Sequence, residues 1–195
     1  LGTQGEERRR VVALFVVVFF VVFFWAAYEQ SGSSMNLFAD RNTDLRVGGF
    51  EIPSSWFQSV NALAILVFAS PFAALWTALG RRGREPSTAL KMVLGLFLLG
   101  VGFLFMVEGG RRADQGTLVS PLWLVGAYLF HTFGELCLSP VGLSYVSKVA
   151  PARLGGLLMG TWFLANAAAN KLAGALAAYT PTPGAGEVAP AGGLG

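Results

Sequence analysis

Five stretches of about twenty or more largely apolar residues divide this chain: 11–38, 55–79, 89–107, 121–147 and 155–178. About twenty such residues in a helix cross the hydrocarbon of a bilayer, and in lipid a helix satisfies every backbone polar group internally. The expected fold is therefore all-α, a polytopic membrane helical bundle of about five transmembrane helices. Composition agrees, because 54% of the residues are hydrophobic and only 13% are charged. A soluble domain carries about a quarter charged residues. Short connections rich in Gly, Pro, Asp and Arg separate the runs. The first run is too long for a signal peptide, and no small-residue cleavage site follows it.

Charge orients the bundle. Loops on the amino-terminal side hold Arg8, Arg9, Arg10, Arg81, Arg82, Arg84, Lys91, Lys148 and Arg153. The opposite side holds Arg41, Arg46, Arg111 and Arg112, with Lys171 near its end of the last helix. The excess of Lys and Arg places the amino-terminal side in the cytoplasm. The basic residues sit in separate loops rather than in one patch, so a pI near 9.4 does not argue for nucleic acid. Cys137 is the single cysteine and lies in an apolar helix, which excludes a disulfide framework.

Two carboxylates interrupt the apolar pattern. Glu135 lies in Gly134-Glu135-Leu136-Cys137-Leu138-Ser139-Pro140, about fourteen residues and roughly 21 Å into its helix. A charge at that depth costs about 2.5–3.5 kcal/mol or more and marks an ion, proton or substrate site. Pro140 cannot donate to the Leu136 carbonyl, so the helix can bend beside the acid. The plainer alternative is a kinked packing helix whose acid pairs with another helix. Glu29 closes the first run nearer its end, with a polar stretch behind it. Its plainer reading is an acid snorkelling to the interface. His131, the only histidine, precedes Glu135 by one turn and reads first as a structural polar residue; with Glu135 alone it supplies too few ligands for a metal. Trp56, Trp76 and Trp123 fall near span ends, as interfacial tryptophans do. Gly156-xxx-Gly160 and Ala165-xxx-Ala169 read as helix-packing stripes. No phosphate loop or nucleophile–base–acid set is present, so the chain is not read as an enzyme.

Several of these segments carry a family resemblance. Trp25-Ala26-Ala27-Tyr28-Glu29-Gln30-Ser31-Gly32, continuing to Arg41, resembles the seventh helix of the proton-coupled oligopeptide transporters of the major facilitator superfamily. Gly134-Glu135-Leu136-Cys137-Leu138-Ser139-Pro140-Val141-Gly142-Leu143-Ser144 resembles the tenth helix of that family. Lys148-Val149-Ala150-Pro151-Ala152-Arg153 and Met159-Gly160-Thr161-Trp162-Phe163-Leu164 resemble the loop and eleventh helix that follow. On this resemblance residues 1–178 are helices seven to eleven, part of a carboxy-terminal bundle, and 179–195 are a Gly/Pro/Ala-rich exterior loop or tail. The odd span count and the charged start lead to the expectation of a piece of a longer carrier, completed by an amino-terminal six-helix half.

The resemblance implies proton-coupled symport of di- and tripeptides across the cytoplasmic membrane, with the proton as coupling ion and no other cofactor. It implies that Glu135 receives the peptide amino terminus, that Asn61 helps hold the peptide, and that Trp25 and Trp162 line its side-chain pockets. It further implies that Glu29 pairs with an arginine of helix one in an exterior gate. Trp25, Glu29, Asn61, Glu135 and Trp162 are thus expected on one concave, exposed groove. Two alternatives stay open: another carrier of the superfamily, for nitrate, amino acids or drugs, or a non-transporting truncated membrane protein.

Overall fold

The computed structural model describes residues 4–150 and 152–179. Helix α1 (Gln4–Tyr28) runs into a 3-10 turn (Glu29–Gly32) and a shorter helix, α2 (Ser34–Asn42). A two-residue hairpin pairs β1 (Arg46–Val47) with β2 (Phe50–Glu51). Three long helices follow, α3 (Trp56–Arg81), α4 (Thr88–Ala113) and α5 (Leu122–Val149). After a short 3-10 turn (Ala152–Leu154) comes α6 (Gly155–Ala177). The expected tail at 180–195 lies outside the described residues.

Among the described residues four segments are long and apolar enough to cross a membrane: Gly5–Asn42, Trp56–Arg81, Thr88–Ala113 and Leu122–Lys148. The fifth expected span, α6, has the length at 23 residues. Asn166, Asn170 and Lys171 lower its hydropathy, so it falls short on composition.

The first span departs from the sequence expectation of one continuous helix. At Ser33 the backbone leaves helical geometry, with φ −124° and ψ −95°. Local bonds accompany the break: Ser33 Oγ donates to the Glu29 carbonyl (3.4 Å), and Ser34 Oγ donates to Gln30 Oε1. Hydroxyls that bond nearby backbone offer the chain an alternative to the helical ladder. The break is also held from outside. Gln30 Nε2 donates to Ala173 O of α6 (3.1 Å), and Tyr128 Oη of α5 donates to Ser31 O (2.7 Å). Irregular backbone at membrane depth survives where protein satisfies it in this way.

Glycine sets the closest seam. Along α4, Gly95, Gly102 and Gly109 recur every seven residues and are buried on the face toward α5. A Cβ on Gly95 would lie 2.8 Å from Gly134 O, and one on Gly134 would lie 2.6 Å from Gly95 O. Without Cβ atoms the two backbones come together, which is how membrane helices gain contact when lipid gives no hydrophobic drive. The stripe at Gly156 and Gly160 does not pack, since a Cβ at either would meet nothing within 4 Å. Ala165, Ala169 and Ala173 of α6 are buried, as expected of small packing residues. Val12, Phe15, Val16, Phe19, Phe20 and Phe23 form an exposed apolar stripe on α1. That stripe leaves the opposite face, with Leu14, Val18 and Val21, in the core.

Candidate functional site

Helix α5 runs from Leu122 to Val149, which puts Glu135 halfway along it. The Gly95–Gly134 contact brings α4 up behind this turn and leaves the carboxyl facing α1 and α3. Tyr28, the last residue of α1, donates its hydroxyl to Glu135 Oε2 at 2.6 Å. Asn61 of α3 brings Nδ2 to 2.5 Å from Tyr28 Oη, 3.0 Å from Thr132 Oγ1 and 3.1 Å from Glu135 Oε2. Thr132 donates its own proton to the Tyr128 carbonyl (2.8 Å), so its oxygen is left to accept from Asn61. Asn61 Nδ2 has two protons for these three acceptors, so one proton is shared between neighbouring oxygens. Three helices meet in one polar network.

The inventory of the network leaves gaps of one kind. Both donors to Glu135 reach Oε2; Oε1 receives no hydrogen bond from the described residues. Asn61 commits its amide nitrogen, while its Oδ1 has no donor among them. No Lys, Arg or His lies within ion-pairing distance of Glu135 or Glu29 among the described residues. A half-buried carboxylate with a free oxygen and no counter-ion is suited to receive a cation.

Of the five residues expected on one exposed groove, Trp25, Glu29, Asn61 and Glu135 are partly exposed and Trp162 is buried. Asn61 and Glu135 touch directly. Trp25 stands beside them through Tyr28, with ring centroids 5.2 Å apart in an edge-to-face contact. Its Nε1 is buried without a hydrogen-bond partner. Glu29 begins the 3-10 turn directly after Tyr28; its carboxylate makes no hydrogen bond to the described residues. Trp162 is only 3% exposed and covers Gly142, where a Cβ would come within 2.2 Å of the indole. Gly142 lies two turns beyond Glu135, so the ring fills a cleft in the α5–α6 core instead of an open wall. A cavity of about 820 Å³ opens elsewhere, between α2 and the carboxy-terminal half of α4, and Glu135 does not line it.

His131 takes the structural place its plainer reading expected. It is 1% exposed, packs 4.7 Å from the Phe103 ring, and presses on Gly102. Neither ring nitrogen makes a hydrogen bond of good geometry to the described residues. Trp76 and Trp123 carry cations over their rings, Lys91 Nζ at 4.9 Å and the Arg112 guanidinium at 4.7 Å. Among the described residues no group of three or more His, Cys, Asp or Glu could hold a metal.

Tyr28, Thr132 and Gln30 were not singled out from the sequence. Tyr28 and Gln30 stand within the helix-seven motif, but nothing along the chain shows that Tyr28 meets a residue 107 positions away. Thr132 reads as an ordinary helical threonine until its neighbour on α3 is known.

Comparison with known proteins follows the same lines. The model of the POT family matches residues 2–187. The chain is 42% identical over 176 residues to the peptide transporter YePEPT of Yersinia enterocolitica, covering 89% of this chain and 34% of the relative. It is 36% identical to dipeptide and tripeptide permease B of Salmonella typhimurium, covering 90% and 36%. Among solved structures, a peptide transporter POT in complex with sulfate superposes with a TM-score of 0.85 at 41% identity, covering 93% of this chain and 36% of that one. A mutant peptide transporter POT in complex with alafosfalin gives 0.84 at 40%, covering 93% and 36%. The chain thus spans about a third of the length of these relatives.

Proposed function

The chain belongs to the POT family, and on that premise we propose that it is part of a carrier moving di- and tripeptides across the cytoplasmic membrane together with protons. The observation that carries this reading is Glu135: a carboxylate at mid-helix, held through one oxygen by Tyr28 and Asn61, with the other oxygen open. A peptide ammonium loses its water on entering such a site and needs an anion there. Glu135 supplies it. The free Asn61 Oδ1 accepts a backbone N–H, which holds a peptide without reading its side chains. Trp25, packed on Tyr28, supplies apolar wall beside the bound backbone. Trp162 supports α5 through Gly142, and its part in a side-chain pocket requires that contact to open.

Glu29 serves as the coupling acid. It sits where the helix breaks, and in the complete carrier it pairs with a cation from the amino-terminal six-helix half. Protonation removes that attraction and shifts the gate toward opening. The proton is the coupling ion, and the proposal requires no other cofactor. The excess of Lys and Arg on the amino-terminal side supports a cytoplasmic start for this chain in a multi-pass protein.

Uptake by the complete protein in proteoliposomes tests the assignment. Glu135→Gln should abolish dipeptide uptake both down its own gradient and under a proton gradient. Normal uptake by this variant would remove the peptide reading and favour another substrate class.

A further inference from the structure

We propose that Tyr28 is a positioning residue for Glu135, turning the carboxylate so that Oε1 is the oxygen presented to the substrate amino group. The inference rests on the reading of Glu135 as the amino-group acceptor and adds a determinant that the resemblance does not assign.

The donors to Glu135 fall on one oxygen. A carboxylate has two equivalent oxygens and turns about its last bond unless something fixes it. Here Tyr28 Oη and Asn61 Nδ2 both bond Oε2, at 2.6 and 3.1 Å, and no described residue bonds Oε1. The same phenol oxygen accepts from Asn61 at 2.5 Å, so Tyr28 also fixes the amide. The phenol itself has little freedom. Its ring stacks on Phe24 at 5.8 Å and meets the edge of Trp25 at 5.2 Å. Aromatic packing on α1 thus sets the phenol, and the phenol sets the carboxylate on α5, just before the 3-10 turn that begins at Glu29. A phenylalanine would keep the ring contacts and lose only the hydroxyl. Binding sites need a supporting shell that holds the contacting group within about half an ångström.

Two ligands separate positioning from simple packing: Ala-Ala, with a free amino group, and N-acetyl-Ala-Ala, without one. Inhibition constants are measured for both against the complete carrier in liposomes. Tyr28→Phe should weaken Ala-Ala about five- to tenfold, the value of one typical net hydrogen bond. It should leave the N-acetyl ligand within twofold, while the lost interhelical bonds lower the ligand-free melting temperature slightly. In a Glu135→Gln background the added Tyr28→Phe should no longer alter the ratio of the two constants, since the group it positions is gone. Equal loss for both ligands, no loss for either, or an unchanged effect in the Glu135→Gln background would overturn the inference. Its failure is distinct from failure of the functional reading, because in that case Glu135→Gln alone would leave Ala-Ala binding intact.

Discussion

Asn61 shows how much one side chain can hold in a membrane interior. Its amide nitrogen reaches α1 through Tyr28 and α5 through Thr132 and Glu135. Such interhelical bonds are worth about 0.6–2 kcal/mol each in membrane proteins. Asn61→Ala should therefore weaken dipeptide affinity up to about tenfold, a loss of about one net hydrogen bond to the peptide backbone. It should also lower the melting temperature, and equilibrium binding with thermal unfolding checks both. A second residue-scale prediction concerns Glu85 in the loop between α3 and α4. Lys91 Nζ bonds its carboxylate at 2.5 Å and holds its pKa below the ordinary carboxylate value. A carboxyl whose folded-state pKa is depressed contributes stability above its unfolded value and loses it as pH falls through the folded one. Melting curves from neutral to acid pH should thus show a loss at acid pH that Glu85→Gln lacks. The effect is small, because Glu85 is half exposed and water screens the pair. Identical pH profiles for the two proteins would contradict it.

Helix packing at the α4–α5 seam is governed by glycine, and here position matters more than motif. A Cβ on Gly102 would lie 2.3 Å from His131 Cδ2 and 2.9 Å from the Ala127 carbonyl. The backbone cannot yield as a flexible side chain could. Gly102→Ala should cost about 1–3 kcal/mol, the range for overpacking. Gly156→Ala, where a Cβ meets open space, should leave stability unchanged or raise it, as alanine favours helix over glycine. Thermal unfolding of the two variants side by side checks the contrast. The element scale is also where the sequence is least legible. Small residues four apart at 156 and 160 look like a packing stripe, yet the working stripe runs every seven residues on α4. A spacing cannot say which face meets a partner. Likewise the apolar run 11–38 hides its break, because the bonds that hold Gln30 and Ser31 come from α5 and α6.

At the scale of the molecule, hydropathy and Lys/Arg placement alone make the all-helical bundle and its site-bearing helices readable. Glu135 is readable as an odd acid in an apolar run and Asn61 through the family resemblance alone, and the structure brings them into contact. Tyr28 is not readable, because aromatic residues are ordinary in membrane helices and its role lies in a contact across 107 residues. Trp162 shows the opposite failure: a residue expected on a pocket wall that packs over Gly142. Function at this scale separates the two acids. Glu29→Gln in the complete carrier should lose accumulation under a proton gradient and keep counterflow of dipeptides, since a permanently neutral gate cannot register the proton. Wild-type accumulation by this variant would show that Glu29 does not couple transport. The most direct measurement of the central claim is equilibrium binding of Ala-Ala to the complete protein and to its Glu135→Gln variant. The account predicts saturable binding that Glu135→Gln lowers by at least a hundredfold, while N-acetyl-Ala-Ala binds the two proteins alike. Equal affinity of both proteins for Ala-Ala would contradict it.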